Sequence, residues 1–210
     1  MKDIHCHILY GVDDGAGTKD DSLRMLDIAA AGGISEIVAT PHYRGRWKNR
    51  ERARENYAQL QPEAQARGIA LALGAEFFWM EFDRDHIERY VSEMTLGDSR
   101  EFLFELDRHT EFSQVEESIY MLQQAGLSVL IAHPERNVPI QREKQAAKQY
   151  LDSCCGFVMS SDALAFWRLS SIYKTAMREY KRGNYTYIAS DAHSPSDYER
   201  HIKLLAKFRV

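Results

Sequence analysis

The chain has 210 residues, a formal charge of -4 and a pI of about 6.1, which suits one well-filled core and is short for two. That balance excludes the basic footprint of a general nucleic-acid binder, and no run approaches the ~20 apolar residues that a membrane-spanning helix needs. The first apolar stretch is short and interrupted by histidine, unlike a signal peptide, and three cysteines without framework spacing fit a reducing cytosol.

Asp3 to Leu9 reads as a strand in which His5 and His7 leave the same side, while Cys6 points to the other. This is the simplest way to aim two ring nitrogens at one ion. A loop with Gly11, Gly15 and Gly17 carries Asp13 and Asp14. Thr18 or Asp20 caps a predicted helix to about Ala31, closed by Gly32-Gly33. Ile34 to Ala39 is a second strand, stopping at Thr40-Pro41-His42. Asn49 to Arg67 is predicted helical, with Pro62 as a point of division. A third strand, Ile69 to Ala75, ends at Glu76. A short helix around Asp83 to Tyr90 and a fourth strand, Glu101 to Leu106, follow.

Phe112 to Gln124 is helical, with Val115, Ile119 and Leu122 on one face. Leu127 to Ala132 is a fifth strand and delivers His133-Pro134-Glu135-Arg136. A helix over Arg142 to Leu151, a sixth strand over Gly156 to Met159 and a helix over Leu164 to Tyr180 come next. Cys154 and Cys155, which lead into that sixth strand, are expected in the core. Tyr185 to Ala189 is a seventh strand and delivers Asp191 and His193, and a helix from about Ser196 to Phe208 ends the chain.

Apolar strands alternating with helices imply a parallel barrel or a doubly wound sheet. His42, Glu76, Glu105, His133, Asp191 and His193 sit mostly at C-terminal strand ends, where several strands converge on one mouth, which favours a barrel of about seven strands. His5, His7, His42, His133 and His193 offer nitrogen, and Asp14, Glu76, Glu105 and Asp191 offer oxygen. That set exceeds the needs of a single zinc ion and suits two or three divalent ions completed by water. Glu76 and Glu105 lie within apolar runs, where a carboxylate is expensive unless paired or metal-bound. Spacing alone leaves Asp13 and Asp14 as alternatives. His86, His109 and His201 have charged neighbours and are expected to face solvent. Arg136 is a candidate phosphate clamp, and Tyr43, Arg44, Arg46 and Trp47 are candidates for holding a phosphate and an aromatic ring.

The segments Asp3 to Leu9, Val12 to Gly15, Ala39 to His42, Gly74 to Glu76, Phe104 to Leu106, Ile131 to Arg136 and Ile188 to His193 together resemble the polymerase-and-histidinol-phosphatase (PHP) superfamily. Within it the chain looks like the bacterial manganese-dependent tyrosine-protein phosphatases of capsular and exopolysaccharide synthesis. The resemblance spans the whole chain in order. It implies one domain over residues 1–210, a distorted (β/α)7 TIM-like barrel, and a cytoplasmic enzyme.

By the same resemblance, His5, His7, Glu76 and Asp191 hold one ion. Glu76 bridges to a second held with Glu105 and His133, and Asp14, His42 and His193 hold a third. Manganese is the expected metal, with iron or zinc as alternatives. A hydroxide bridging the ions attacks phosphorus, and Arg136 neutralises charge on the transferring group. The implied partner is a phosphotyrosine protein, a bacterial tyrosine kinase, without nucleic acid or membrane insertion. A small-molecule phosphatase, such as one acting on histidinol phosphate, or a phosphodiesterase is the alternative on the same site.

The chain departs from the family pattern in places. Tyr198 stands where relatives carry a second phosphate-binding arginine, so Arg200 is the candidate replacement. The stretch Met159-Ser160-Ser161-Asp162-Ala163 lacks the usual Gly-Ser pair, and Arg108-His109 replaces apolar residues. The C-terminus stops short of the typical length, so oligomeric state is not inherited.

Overall fold

A computed structural model describes residues 1–44 and 48–208. Strands and helices run β1 (Lys2–Cys6), α1 (Lys19–Ala31), β2 (Glu36–Ala39), β3 (His42–Tyr43), α2 (Arg50–Ala66), β4 (Ala70–Leu73), β5 (Glu76–Phe78), α3 (Arg84–Met94) and β6 (Glu101–Glu105). They continue with α4 (Phe112–Gln124), β7 (Ser128–Ala132), α5 (Val138–Arg142), α6 (Lys144–Asp152), β8 (Gly156–Ser160), α7 (Ser171–Lys181), β9 (Tyr185–Ala189) and α8 (Pro195–Phe208). All named strands pair in parallel, β1-β2-β4 in one sheet and β3-β5-β6-β7-β8-β9 in a second.

The seven predicted apolar runs are present, but two of them are broken. The second run leaves the first sheet at Thr40-Pro41 and re-enters the other at His42; the third does so at Gly74-Ala75 and re-enters at Glu76. Pro41 has no N–H to give a ladder. A Cβ on Gly74 would stand 2.8 Å from the Thr95 carbonyl oxygen, so the chain turns where only glycine fits. Backbone bonds cross both breaks: the Gly74 N–H donates to the Ala39 carbonyl at 2.9 Å, and the Glu76 N–H to the Pro41 carbonyl at 3.1 Å. At the opposite seam the Asp191 N–H donates to the His5 carbonyl at 2.8 Å, and the His7 N–H to the Ala192 carbonyl at 3.0 Å. Ile4, Val38, Leu103, Leu130, Val158 and Ala189, drawn from six strands of both sheets, share one buried cluster.

The helices follow the sequence with three differences. Thr18 caps α1 in a capping box with Asp21, as its position predicts. Pro62 does not divide α2, because Leu60 and Ala64 on either side of it are buried and hold the helix to the core. The helix expected over 142–151 is present as α6, but a short α5, capped by Asn137 with Pro139 in its first turn, precedes it, and Glu143 between them is extended. The helix expected from Leu164 starts at Ser171 behind the Ser170 cap, and a 3-10 turn over Ser161–Leu164 precedes it. Cys155 is buried, but Cys154 is exposed; it ends α6 in a left-handed conformation (φ 56°) that turns its side chain out.

Asp3 ties the two ends of the chain together. Its carboxylate accepts from the Ser190 N–H at 2.9 Å and from the Tyr198 hydroxyl at 2.7 Å, all out of contact with water. Removing that hydroxyl strands a buried carboxylate oxygen, which costs about 1–3 kcal/mol. Tyr198→Phe is therefore expected to lower the urea midpoint with an unchanged slope; an unaltered midpoint would show that the bond contributes nothing.

Candidate metal centre

β1 points His5 into the interior, and His7 follows one residue beyond its end on the same side. Their Nε2 atoms lie 3.2 Å apart. Glu76, at the start of β5, places Oε2 3.3 Å from each of them, and Asp191 places Oδ1 3.3 and 3.6 Å away. The other Glu76 oxygen sits 2.7 Å from His133 Nε2. His42, beside Glu76 in the β3–β5 pairing, brings Nδ1 to 2.9 Å from Oε2 and to 3.8 Å from Glu105 Oε2. Asp14 reaches His42 Nε2 at 3.3 Å and His193 Nε2 at 3.6 Å.

These atoms fall into three groups able to hold an ion: His5, His7, Glu76 and Asp191; His42, Glu76 and Glu105; and His7, Asp14, His42 and His193. The first is the expected set. The other two differ in detail from the expected partition, because His7 and His42 each belong to two groups and His133 stands against the outer oxygen of Glu76.

Asp13 and Asp14 separate by role. Asp13 Oδ2 lies 2.9 Å from His7 Nδ1 and accepts the His42 N–H at 2.9 Å, while Oδ1 accepts the Gly15 N–H at 2.9 Å. It orients the ring of His7 and leaves Nε2 free toward the centre, while exposed Asp14 faces His42 and His193. A Cβ on Gly15 would stand 2.2 Å from the His7 carbonyl oxygen, so this loop closes over β1 only with glycine there. His133 (φ 31°) and Asp191 (φ 51°) both occupy left-handed backbone conformations. For side chains with a Cβ that conformation is strained, and it re-aims each residue as its strand ends.

Burial pushes the Glu76 carboxyl up, yet the imidazoles of His5, His133 and His42 more than offset this and hold it well below the usual range. Asp191 is likewise held down, against its burial, by His5, His7 and Arg136. Burial lowers His7, but Asp13, Asp191 and Glu76 raise it well above its ordinary value. Glu76 Oε2 and His42 Nδ1 are buried, close together, and without a hydrogen bond among the described residues. Imidazole nitrogens and carboxylate oxygens thus converge on the same small volume. Divalent cations satisfy that arrangement, and the mixed nitrogen and oxygen donors fit them.

Arg136 Nη2 lies 2.6 Å from Asp191 Oδ2 and 3.3 Å from Asp162. With Arg200 and His193 it lines a cavity of about 170 Å³ at the edge of the cluster. Arg200 is half-exposed on α8 and pairs with Asp197 at 3.3 Å. Arg44 reaches Glu105 at 3.1 Å. Tyr43, expected to face a substrate, is buried instead and packs on Phe77 with ring centroids 4.8 Å apart, because its position in β3 turns it into the aromatic core. Arg46 and Trp47 lie outside the described residues, as does the side chain of His86. His109 is exposed. His201, expected in solvent, is buried on the inner face of α8, with Nδ1 2.9 Å from Ser161 Oγ, and burial lowers its pKa. A larger cavity of about 520 Å³, lined by Arg54, Tyr57, Leu73 and Glu93, contains none of the clustered donors.

Sequence reasoning missed the supporting residues Asp3 and Asp162, and carried Asp13 only as an alternative to Asp14. Asp3 follows Lys2 at the start of the first strand and lacks the apolar surroundings that marked Glu76. Asp13 and Asp162 lie in polar stretches with no such mark.

The family model described as "Capsular polysaccharide synthesis, CpsB/CapC" matches residues 1–208. The chain belongs to the CpsB/CapC family. Over 199 residues it is 33% identical to the tyrosine-protein phosphatase YwqE of Bacillus subtilis, covering 92% of this chain and 78% of that one. It is 25% identical over 205 residues to the tyrosine-protein phosphatase CpsB of Streptococcus agalactiae, covering 92% and 83%. A crystal structure from work on YwqE of Bacillus subtilis and CpsB of Streptococcus pneumoniae, described as unique metal-dependent tyrosine phosphatases, superposes with a TM-score of 0.81. It is 28% identical and covers 99% of this chain and 87% of that one. Membership of the CpsB/CapC family and the donor cluster together support metal-dependent phosphoesterase activity. No described helix is long and apolar enough to cross a membrane.

Residues that orient a metal-binding imidazole typically contribute about 10–100-fold to metal affinity. Asp13→Asn is expected to weaken divalent-metal binding by about that factor in a competitive chelator titration, with the fold intact by circular dichroism. Unchanged affinity would remove Asp13 from the support of the site.

Proposed function

We propose that this chain is a metal-dependent phosphatase of protein phosphotyrosine. The observation that carries the reading is the convergence of four imidazoles on two buried carboxylates, Glu76 and Asp191, bordered by Arg136. The relatives named above are called tyrosine-protein phosphatases, and the same activity is proposed here, acting on a bacterial tyrosine kinase. In this reading residues 1–210 form one domain. Its two sheets close, through the β1–β9 seam and the bonds across the two strand breaks, into a distorted seven-segment barrel whose mouth carries the site.

His5, His7, Asp14, His42, Glu76, Glu105, His133, Asp191 and His193 would hold two or three divalent ions, manganese first. When bound, such ions supply Lewis acidity toward water and toward the phosphoryl oxygens. The protein's own residues do the rest. Asp13 fixes the ring of His7. Arg136, anchored by Asp162 and Asp191, faces the cavity with its charge and orients the phosphoryl group; burial works against its charge, but those carboxylates keep it protonated. Arg200 stands across the same cavity and supplies the second cation, in place of an arginine at position 198. Tyr198 cannot, since its hydroxyl is committed to Asp3.

The cavity of about 170 Å³ is smaller than the ~300–1,000 Å³ typical of pockets that enclose a whole ligand. Exposed Asp14 and Arg200 make the rim open. A phosphoryl group presented on a protein chain fits this shape better than an enclosed small phosphate ester such as histidinol phosphate.

Chelator is expected to abolish hydrolysis of a phosphotyrosine peptide, and added manganese to restore it. With manganese, turnover of the peptide should exceed that of histidinol phosphate and of a phosphodiester; activity indifferent to chelator, or preference for either alternative, would refute the reading. Arg136→Ala should lower kcat by about 100-fold or more with bound metal unchanged by elemental analysis, as expected when a preorganised charge is removed. Loss of metal instead would make Arg136 a support for Asp191.

A further inference from the structure

The 3-10 turn after β8 contributes Ser161 and Asp162 to the cavity beside Arg136, and beyond buried Ala163 and half-buried Leu164 the chain leaves the core. Residues 165–169 are all exposed, and they include Phe166 at 44%, Trp167 at 72% and Leu169 at 59%. Three of the seven large hydrophobic side chains exposed among the described residues thus fall within four consecutive positions. Nothing in the catalytic reading uses them. Water contact by a tryptophan, a phenylalanine and a leucine this close together has a cost that isolated exposed apolar residues do not, and such patches mark contact surfaces.

We propose that Phe166, Trp167 and Leu169 form a docking shelf for an apolar side chain of the phosphorylated polypeptide, and so select the sequence around the phosphotyrosine. This rests on the phosphotyrosyl-protein reading above. The occupant follows from place and size. The Ala165 N–H donates to the Asp162 carbonyl at 2.8 Å, so the shelf is joined directly to the cavity wall. Two further residues put the Trp167 Cα within roughly 14 Å of that of Asp162. An extended peptide advances about 3.3 Å per residue, so it reaches the shelf about four residues from its phosphotyrosine. The three side chains offer on the order of 400 Å² of surface, against ~800 Å² per partner in a stable protein–protein interface. That area suits a short peptide and not a second copy of this chain.

The test uses the manganese-loaded enzyme and phosphotyrosine peptides in a Gly/Ser background, with one leucine moved from five residues before to five after the phosphotyrosine. The parent is expected to show a kcat/KM about five- to tenfold higher when leucine stands three to five residues away on one side, carried by KM. Trp167→Ala, and separately Phe166→Ala/Leu169→Ala, should erase that preference and leave kcat/KM for p-nitrophenyl phosphate unchanged. A preference that is absent in the parent, survives in both variants, or disappears together with p-nitrophenyl phosphate turnover would overturn the shelf. So would a parent that is dimeric by light scattering and becomes monomeric in Trp167→Ala, since a second copy would then cover the loop. If the parent hydrolyses no aryl phosphate, the functional reading fails instead. Anisotropy of labelled non-hydrolysable phosphonate peptides still judges the shelf by the same leucine preference in binding.

Discussion

Glu76 and Asp191 carry negative charge into a region that water does not reach, and the rest of the site is a response to that burden. An ionised carboxylate in such a place costs several kcal/mol unless charge and hydrogen bonds surround it. Around Glu76 stand His5, His7, His42 and His133; around Asp191 stand His5, His7 and Arg136. Imidazoles alone can meet this demand only by taking up protons, which the raised pKa of His7 and of His133 expresses. Divalent cations meet it with the rings neutral, and every donor then points at charge rather than at another acceptor. The buried carboxylates therefore tie the architecture and the chemistry together.

The two strand breaks acquire a purpose from the same constraint. Had the run beginning at Ile34 continued through Pro41, and that from Ile69 through Gly74, His42 and Glu76 would lie in the three-stranded sheet. The breaks move both into the second sheet, where they pair side by side and Glu76 meets His133 from β7. His133 and Asp191 reach the centre by a different device, single left-handed residues at the strand ends. In both cases irregular backbone is concentrated where ligands are aimed, and the regular ladders beneath it supply the rigidity to hold it there.

Much of this was legible in the sequence, and the parts that were not share a physical cause. Period-two spacing placed His5 and His7 on one side, and apolar runs located Glu76, Glu105, His133 and Asp191 because a carboxylate or imidazole at such a position needs a reason. Spacing could not divide Asp13 from Asp14, since both lie in a glycine-rich loop; only the closeness of Gly15 to His7 decides which turns inward. Nor could local pattern show that Tyr43 faces the aromatic core, because its direction depends on a two-residue strand created by the break at Pro41. His201 escaped for a related reason. Its neighbours in sequence are charged, whereas its neighbours in space are Ser161 and Tyr198.

Tyr198 belongs to the scaffold beneath the site. It stands on the inner face of α8 with its ring fully buried and its hydroxyl on Asp3, whose other oxygen holds the Ser190 N–H next to Asp191. The position at which the resemblance implied a phosphate-binding arginine is instead part of the brace beside Asp191, one of the clustered carboxylates. Arg200, the second cation of the proposed reading, lies two residues along the helix, about 200° around its axis and on the exposed side. There it faces the cavity across from Arg136, but Asp197 and Asp162 hold the two guanidinium groups in ion pairs. A phosphoryl group entering the cavity has to compete with those carboxylates for both cations. The same two acids that position the arginines therefore also weaken the cavity's hold on small anions, which under the proposed function shifts recognition to contacts farther along the substrate chain.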